Sequence, residues 1–343
     1  MPDTEFGCLP TVIGSMPQTD PTEACAQVSR YLKDIPAWPQ LPNRSFLENM
    51  YAQYSQGFPG VVIKDNRIYV DRARGDVVES MERLYTAYEK HDVAKYPISE
   101  GYAQGLHTFL ASKFRSPLAV KGQITGPVTW GLTVTDEEGR AIIYDDSFQD
   151  MVAMFLGLKA EWQERALSQI SKNTIIFVDE PYMAAFGSAA VPFDKGRVIR
   201  LLNEVFGHIR GIKGVHCCGN TDWPVLLQTN TQILSFDAYN YARSLSLYPA
   251  EVEAFLVRKG CIAWGIVPNE VEALAGETVS SLKDRLEEAI APFTRNGIGF
   301  RQLLGQALLT PCCGLAGLPD GEAVDKALEL LTGLSLAIRK RYL

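Results

Sequence analysis

The stretch Thr174-Ile175-Ile176-Phe177-Val178-Asp179-Glu180-Pro181 is an almost continuous apolar run that ends in two acidic residues and a proline. Such a run predicts a buried strand, and the proline marks its end because proline cannot donate to a strand ladder. Carboxylates are costly to bury without a charged or hydrogen-bonding partner. Asp179 and Glu180 are therefore either solvated loop acids or functional groups, and the sequence leaves both interpretations open here.

The same unit of apolar strand, polar loop and helix recurs at least seven times along the chain, with no linker of domain size. This alternation is typical of parallel βα units. The other predicted strands are 11–15, 118–124, the run before His216, 232–236, 260–267 and the run 306–309 before Cys313. One helix is predicted to begin at Pro21 and another after Ser147-Phe148-Gln149-Asp150, which resembles a capping box. Further helices are predicted over 46–56, 77–90, 99–113, 196–212, 223–229, 279–291 and 323–339.

Seven or eight βα units in about 300 residues favour a single (β/α)8 barrel, an α/β fold, over residues 1–343. The competing architecture is a doubly wound open sheet, which normally carries a G-x-G-x-x-G turn after an early strand. The chain has no such motif in that context. Residues 35–76 are irregular and rich in proline, glycine and aromatic residues, so we expect an insertion there, with a strand pair near 61–70.

Composition limits the function. The 343 residues carry a formal net charge of −7 and no dense cluster of Lys and Arg, which argues against nucleic-acid partners. The segment Met1-Pro2-Asp3-Thr4-Glu5-Phe6 lacks the basic and apolar regions of a signal peptide, and no run is long enough to span a bilayer. We therefore expect a cytoplasmic protein without a membrane partner. Seven cysteines, four of them in adjacent pairs, suit metal or thiol chemistry in a reducing compartment.

Polar residues follow the carboxyl ends of the predicted strands, where barrels of this type place their chemistry. His216 and Cys218 are separated by one residue, so at an extended strand end they point the same way, while Cys217 faces away into packing. Their nitrogen and sulfur donors, with the thiolate of Cys313, favour zinc over hard cations. Asp237 ends the next strand and is the weaker candidate for a fourth, displaceable ligand.

A zinc centre with two thiolates and a carboxylate is electron-rich, which suits it poorly to activating water. It is suited to holding a substrate thiol as a thiolate that still attacks carbon. The motif thus indicates thiol alkylation. Two other interpretations stay open: ordinary buried cysteines beside a histidine, and a closed structural zinc site.

Several motifs in order along the chain resemble the catalytic C-terminal half of cobalamin-independent methionine synthase, in the superfamily that includes uroporphyrinogen decarboxylase and corrinoid-linked methyltransferases. The motifs span most of the chain. They are Ile13-Gly14-Ser15-Met16-Pro17-Gln18-Thr19, Ile124-Thr125-Gly126-Pro127-Val128-Thr129, Val178-Asp179-Glu180-Pro181, His216-Cys217-Cys218 and Pro311-Cys312-Cys313-Gly314-Leu315.

The resemblance implies roles for particular residues. His216, Cys218 and Cys313 are the implied zinc ligands, and Asp237 stands where the family has a glutamate. Ile13, Gly14 and Ser15 form the implied site for the homocysteine carboxylate. Asp179 is the implied catalytic and ammonium-binding acid, with Glu100 as the candidate for a second acid near the amino group. A helix N-terminus suits a carboxylate, and buried acids suit an ammonium group.

Two departures from the family bear on the methyl donor. Asn269 stands in a region where folate-using members carry a histidine near the donor, and the duplicated N-terminal barrel does not precede the first motif. The chain therefore resembles the short core form, whose implied donor is methylcobalamin or a methylated corrinoid protein. The hypothesis is an SN2 transfer in which the homocysteine thiolate on zinc attacks the cobalt-bound methyl group.

Other functions remain open at this stage. They are methylcorrinoid transfer to another thiol such as coenzyme M, methionine synthesis from methyltetrahydrofolate, a decarboxylase-like lyase without zinc, and a non-catalytic zinc module that binds a corrinoid protein. Outside the motifs, His91, His107, His208 and Cys261 lie in local sequences that suggest no role.

Overall fold

The computed structural model describes residues 5–145, 147–188, 191 and 193–343. Residues 1–4 of the N-terminal segment, and the other gaps in the predicted 1–343 domain, lie outside the described residues. The strands among the described residues are β1 (Leu9–Pro10), β2 (Val61–Lys64), β3 (Arg67–Val70), β4 (Val120–Thr125), β5 (Thr135–Asp136), β6 (Thr174–Asp179), β7 (Ile212–Cys217), β8 (Ile233–Phe236), β9 (Cys261–Val267) and β10 (Ala307–Pro311).

Helices follow most of these strands. They are α1 (Pro21–Tyr31), α2 (Val77–Lys90), α3 (Gln104–Ala111), α4 (Pro127–Thr133), α5 (Gln149–Leu167), α6 (Lys195–Gly207), α7 (Trp223–Leu227), α8 (Ala238–Leu245), α9 (Pro249–Val257), α10 (Val271–Gly276), α11 (Val279–Arg295), α12 (Phe300–Gly305) and α13 (Gly321–Tyr342). Among the described helices, none is both long and apolar enough to cross a membrane.

Seven strands form one curled parallel sheet in the order β1-β10-β9-β8-β7-β6-β4, with helices packed against it. Side chains alternate between the two faces of each strand. In β6, Ile176 and Val178 join the large core beneath the helices, while Ile175 and Phe177 join a smaller core on the other face. The smaller core takes residues from five strands of this sheet besides β6, which include Ile212, Cys261 and Leu308. The predicted α/β architecture with parallel strands is therefore confirmed.

The segment 34–40 bonds to edge strand β4 on one side and to the residues that follow edge strand β1 on the other. On one side its backbone bonds to β4, since Trp38 N–H donates to the carbonyl of Lys121 at 3.3 Å. On the other side Gln40 N–H donates to the carbonyl of Gly14 at 3.0 Å. Isolated parallel bridges join Ala37 to Lys121 and Ser15 to Gln40. Residues 35–40 of this segment are buried.

The predicted strand pair near 61–70 is confirmed as the antiparallel pair β2 and β3, which forms a separate small sheet with β5. The helix expected over 46–56 is wrong. Only Phe46–Glu48 is helical there, as a 3-10 turn capped by the side chain of Ser45, and turns follow it. Buried hydrogen bonds hold this stretch instead, such as the one from Tyr54 Oη to the carbonyl of Gln123 at 2.7 Å.

Other elements differ from the sequence predictions at their ends. No helix was predicted directly after the strand 118–124, but Pro127 is the first residue of α4, where a missing N–H costs no hydrogen bond. The expected capping box at Ser147 does not form, because Phe148 is the N-cap of α5 and makes no side-chain cap bond. The first strand lies at Leu9–Pro10 rather than at 11–15. Helix α2 covers the predicted span 77–90.

Candidate metal centre

Three side chains with soft donor atoms meet at the carboxyl end of the curled sheet. His216 lies near the end of β7, Cys218 follows that strand, and Cys313 comes two residues after β10. One donor atom of each, an imidazole nitrogen or a thiol sulfur, lies within 4.8 Å of the other two. We call these three residues the strand-end cluster. The sequence places them up to 97 residues apart, and the parallel sheet brings them together.

The imidazole of His216 has one ring nitrogen engaged and one free. Its Nδ1 lies 3.0 Å from Ser235 Oγ, on the neighbouring residue of β8. Its Nε2 is buried and has no hydrogen-bond partner. A hydrogen bond at one ring nitrogen fixes the orientation and tautomer of a metal-binding histidine. A buried nitrogen without a partner is costly, and a metal ion beside two thiols would satisfy it.

The two thiols of the strand-end cluster are joined by a hydrogen bond. A hydrogen bond from the Cys313 thiol holds the pKa of Cys218 well below its usual range, and the interaction with His216 acts in the same direction against burial. The same hydrogen bond, with burial, raises the pKa of Cys313. Of the two thiols, Cys218 is therefore the one that ionises more readily. A thiolate is the form of cysteine that binds a metal ion, so the site is prepared for a soft cation.

Asp237 is buried close to the strand-end cluster but is not part of it. It ends β8 and caps α8, where its carboxylate accepts from the Asn240 backbone N–H at 2.9 Å and from Asn240 Nδ2 at 2.8 Å. Burial raises the pKa of Asp237, and the nearby Cys218 adds to this effect. The two cap bonds hold the carboxylate at the helix terminus in this structure.

The adjacent cysteines have a different environment. Cys217 is fully buried in the helix-facing core, as expected from its position between two inward-facing residues. Cys312 Sγ donates to Asn269 Oδ1 at 3.0 Å. Burial raises the pKa of both thiols to about 12. Neither is prepared to bind a metal.

A cavity of about 290 Å³ opens beside the strand-end cluster. Its lining combines the three cluster residues with one wall from the 40–50 segment and another from the first motif. The lining residues are Ile13, Ser15, Gln40, Pro42, Glu48, Asn49, Met50, Asp179, Pro181, His216, Cys218, Cys313 and Gly314. A small molecule in this cavity would therefore touch the cluster at one end and charged groups at the other.

The Ile13-Gly14-Ser15 motif lies against the loop that carries Cys313. Gly14 adopts φ +148°, and a Cβ there would come within 2.6 Å of the Gln123 side chain, so both conformation and space require glycine. The carbonyl of Ser15 accepts from Leu315 N–H at 2.8 Å. A Cβ on Gly314 would overlap Ser15 Oγ. The serine hydroxyl thus lies directly next to the loop that carries Cys313.

Asp179 is the acid of the cavity nearest the strand-end cluster, since it is paired with His216 across the β6–β7 ladder. Its Oδ1 is buried and has no hydrogen-bond partner. Burial raises the pKa of Asp179 to about 6, although the nearby His216 and Lys121 lower it. An unpartnered buried carboxylate oxygen is costly in the free protein, and it fits a ligand that brings a positive charge.

Lys121 lies beneath the Ile13-Gly14-Ser15 motif and has no exposed surface. Its Nζ donates to the carbonyl of Ile13 at 2.6 Å and to Gln123 Oε1 at 3.2 Å, and it lies 4.3 Å from the centre of the Phe177 ring. Burial lowers the pKa of Lys121 to about 7, against the attraction of Asp179. Through its bond to the Ile13 carbonyl, Lys121 connects the Ile13-Gly14-Ser15 motif to β4.

Glu180 is the second acid of the Asp179-Glu180 pair, and the structure gives it a structural role. Its two carboxylate oxygens accept from the backbone N–H groups of Val128 at 2.9 Å and Thr129 at 2.7 Å. Burial raises the pKa of Glu180 to about 7, against these hydrogen bonds. A carboxylate at the start of α4 satisfies backbone donors that have no partner within the helix. Of the two acids, only Asp179 lines the cavity.

A further acid in the cavity, Glu48, was missed by the sequence analysis. It has no exposed surface; one oxygen pairs with Arg44 at 2.6 Å, while Oε2 is buried without a partner. Burial raises the pKa of Glu48, against the pull of Arg44. Glu100, the acid expected near the amino group, is exposed and accepts from Gln104 Nε2 at 2.9 Å. It does not line the cavity.

No local signal separates Glu48 from a surface acid. It follows Ser45 by three residues and Arg44 by four, a spacing equally typical of an exposed helix start with an ion pair. Its burial depends on the turn after Leu41, which folds the segment over the sheet. Arg44, four residues earlier, is the one sequence feature that indicates an ion-pair partner for Glu48.

Comparison with known proteins shows the fold. No protein-family model and no curated protein sequence matches the chain. A B12-independent methionine synthase from Shewanella sp. W3-18-1, solved with selenomethionine, aligns with a TM-score of 0.58 and 15% identity over 97% of this chain and 98% of that one. A putative vitamin-B12 independent methionine synthase from Listeria monocytogenes aligns with a TM-score of 0.54 and 14% identity over 94% and 85%. The chain shares the fold of these proteins.

Proposed function

We propose that this chain is a zinc-dependent methyltransferase that makes methionine by moving a methyl group from a methyl-corrinoid to homocysteine. One observation carries the proposal: the three soft donors of the strand-end cluster and two unpartnered buried carboxylate oxygens face one cavity. Homocysteine presents a thiol and an ammonium group at opposite ends of a short chain. The fold shared with two proteins described as methionine synthases supports the same conclusion.

The donor set fits zinc. His216, Cys218 and Cys313 would hold the ion, and Ser235 would keep the imidazole oriented. Zinc bound there supplies the chemistry that keeps a substrate thiol deprotonated and nucleophilic near neutral pH. Asp237 is the proposed displaceable fourth ligand. To reach the ion it would give up its two bonds to Asn240, which makes it a weaker ligand than the other three.

The protein side chains orient the amino-acid end of the substrate. Asp179 and Glu48 would accept hydrogen bonds from the ammonium group, since each has a buried oxygen without a partner. Ser15 and the backbone of Ile13 and Gly14 would receive the carboxylate, in line with the family resemblance. With the ammonium group fixed, the sulfur lies toward Cys218 and Cys313. The sulfur–carbon bond would then form as the bond between the methyl group and its donor breaks, with the electron pair of that bond left on the donor. The thiol proton would be released to solvent beforehand.

The methyl donor is inferred from Asn269 and its contacts. Asn269 takes the position where folate-using members of the similar family carry a histidine. Its Nδ2 donates to the carbonyl of Gly314 at 3.0 Å while its Oδ1 accepts from Cys312. This amide braces the Cys313 loop and offers no titratable proton, which supports a methyl-corrinoid over methyltetrahydrofolate.

The same observations weigh against the competing functions. Coenzyme M has no ammonium group, so Asp179 and Glu48 favour homocysteine as the thiol. A closed structural zinc site and a non-catalytic module would not need a cavity beside the metal ligands. A decarboxylase-like lyase would not need the two thiols.

We also propose that the curled sheet is a closed eight-stranded barrel, with residues 34–40 as its irregular eighth strand. Backbone hydrogen bonds from this segment to β4 and to the residues that follow β1 support the closure. The insertion predicted at 35–76 would then begin after Leu41. Closure would fix Gln40 beside Ser15 at the rim of the cavity.

The proposal is tested by incubating metal-free and zinc-reconstituted protein with methylcobalamin and homocysteine and measuring methionine. We expect methionine only in the zinc-reconstituted protein, and much slower methylation of the thiol when coenzyme M replaces homocysteine. Methyltetrahydrofolate as donor should give no product. If the zinc-replete protein yields no methionine, the assigned reaction is wrong. If zinc binds and a corrinoid protein binds but no thiol is methylated, the chain is a binding module.

A further inference from the structure

A second set of metal-binding side chains lies outside the site described above. His91 follows the last residue of α2, Glu161 is in α5, and His208 follows α6. One donor atom of each lies within 4.8 Å of the other two. We call these three residues the helix-end cluster. Because α6 ends just before β7 begins, this cluster lies toward the amino ends of the strands, opposite the strand-end cluster.

The two histidines converge on one carboxylate oxygen. His91 Nδ1 lies 3.3 Å and His208 Nδ1 lies 3.1 Å from the same Glu161 Oε2. Donors at 2.0–2.2 Å from a tetrahedral ion are separated by about 3.3–3.6 Å. The observed spacing therefore needs only small shifts to admit an ion. The imidazole rings are 5.4 Å apart and tilted by 45°, so they are not stacked and both can face one point.

From this geometry we propose that His91, Glu161 and His208 form a second binding site for zinc, with water at the fourth position. Two histidines and one glutamate are a ligand set that zinc takes in proteins. Glu161 and His208 are almost fully buried, while His91 is 61% exposed. The exposed imidazole gives solvent and the ion access from the surface.

The surrounding groups support this assignment for His208. If Nδ1 binds the ion, the neutral imidazole carries its proton on Nε2. That nitrogen faces Glu204 Oε1 at 3.8 Å, and Tyr88 Oη donates to the same oxygen at 2.6 Å. A carboxylate behind the second ring nitrogen is the usual outer partner of a zinc-bound histidine. Glu204 is thus placed to orient His208.

Another neighbour limits the affinity. Arg165 donates to the other oxygen of Glu161 at 2.5 Å, so Glu161 can offer the ion one oxygen only. The guanidinium also places a positive charge near the site, which weakens the binding of a cation. We therefore expect the helix-end cluster to bind zinc more weakly than the strand-end cluster. The competing account is a network of hydrogen bonds that merely satisfies the buried carboxylate of Glu161.

Zinc titration of the metal-free, untagged protein by calorimetry separates these accounts. We expect two binding events in the wild type, of which His91→Ala removes the weaker and Cys313→Ser removes the tighter. His107 serves as the matched control, because its Nε2 lies 2.8 Å from the carbonyl of Ile98 and it belongs to neither cluster. His107→Gln should keep both events. His91→Ala should leave the rate of methyl transfer unchanged.

Glu161→Gln gives a second variant that keeps the side-chain volume, and it should weaken the second event at least tenfold. Circular dichroism would check that each variant is folded. A wild type that binds one zinc only, or a second event that survives both His91→Ala and Glu161→Gln, would overturn the proposal. Because this site does not rest on the proposed reaction, its failure would leave the strand-end cluster and its function untouched.

Discussion

The strand-end cluster and the helix-end cluster each bring three metal-binding side chains together, but their surroundings differ. In the strand-end cluster, His216 Nε2 has no partner, the Cys313 thiol lowers the pKa of Cys218, and a cavity lies alongside. In the helix-end cluster, Glu161 already accepts from two imidazoles and Arg165. The first has free donors and room for a ligand, as exchange of a substrate requires. A metal ion in the helix-end cluster would instead connect the ends of α2 and α6 to α5.

The largest effect should follow from removing a thiolate of the strand-end cluster. Cys313→Ser leaves a hydroxyl, which is a poor ligand for a soft ion. We expect loss of bound zinc and a fall in methyl transfer on the order of 10²–10³-fold, as when an electrostatic element of an active site is removed. Metal analysis and the methylcobalamin assay measure the two losses. Cys312→Ser is the neighbouring control, and an equal loss in that variant would contradict the assignment.

The next contrast concerns the two acids of the cavity. Asp179→Asn and Glu48→Gln each remove a charged partner of the substrate ammonium, at a cost of about 2 kcal/mol. The KM for homocysteine should therefore rise about 30-fold. The measurement is steady-state kinetics with homocysteine and with 3-mercaptopropionate, a thiol without an amino group. The KM for 3-mercaptopropionate should be the same in the variants and in the wild type.

Glu100→Gln is the discriminating control for this pair, because that carboxylate is exposed outside the cavity. We expect its KM for homocysteine to match the wild type. A large rise in KM for Glu100→Gln, with none for Glu48→Gln, would restore Glu100 as the second acid and remove Glu48 from the site.

A smaller effect concerns Lys121, the buried lysine beneath the Ile13-Gly14-Ser15 motif. Burial lowers the pKa of Lys121 to about 7, whereas an unfolded lysine titrates near pH 10.4. Between these values the unfolded state binds more protons, so stability rises with pH. From pH 7 to pH 9 the free energy of unfolding should increase by about 2 kcal/mol from this group.

Lys121→Met removes the titrating group while keeping most of the volume. Urea denaturation at several pH values should show a flatter pH dependence in this variant than in the wild type. Parallel curves for the two proteins would mean that Lys121 stays charged when buried.

The smallest effect is expected at the helix-end cluster. At a free zinc concentration of about ten times the Kd, binding to the folded state adds about 1.4 kcal/mol of stability. In Cys313→Ser protein, where the tighter site is lost, zinc should therefore raise Tm by a few degrees. The double variant with His91→Ala should show no such rise. Thermal scans with and without zinc measure the difference, and an unchanged rise in the double variant would contradict the site.

Sequence reasoning recovered the elements whose signals are local. The apolar run at 174–178 lies within β6, and the helical spacing at 77–90 corresponds to α2. The structure also brings His216, Cys218 and Cys313 together, because parallel strands end at one edge of the sheet. Each of these depends on a pattern that a short window of sequence contains.

Long-range contacts explain what sequence reasoning missed. Helix α4 begins at Pro127 because Glu180, 51 residues from Thr129, caps it from the end of β6. His91 and His208 lie 70 and 47 residues from Glu161 in helix ends that share no periodicity. His91 also adopts a left-handed backbone with φ 49°, which few residues other than glycine favour. These neighbours become apparent only once the helices are packed.

The central claim is that the strand-end cluster holds a zinc ion that takes up the thiol of homocysteine. X-ray absorption at the zinc edge counts the sulfur ligands at about 2.3 Å directly. His91→Ala protein should be used, so that one zinc site dominates the signal. We predict two zinc–sulfur bonds in the free protein and three after addition of homocysteine. A count that stays at two with saturating homocysteine, or a free protein without zinc–sulfur bonds, would contradict the account.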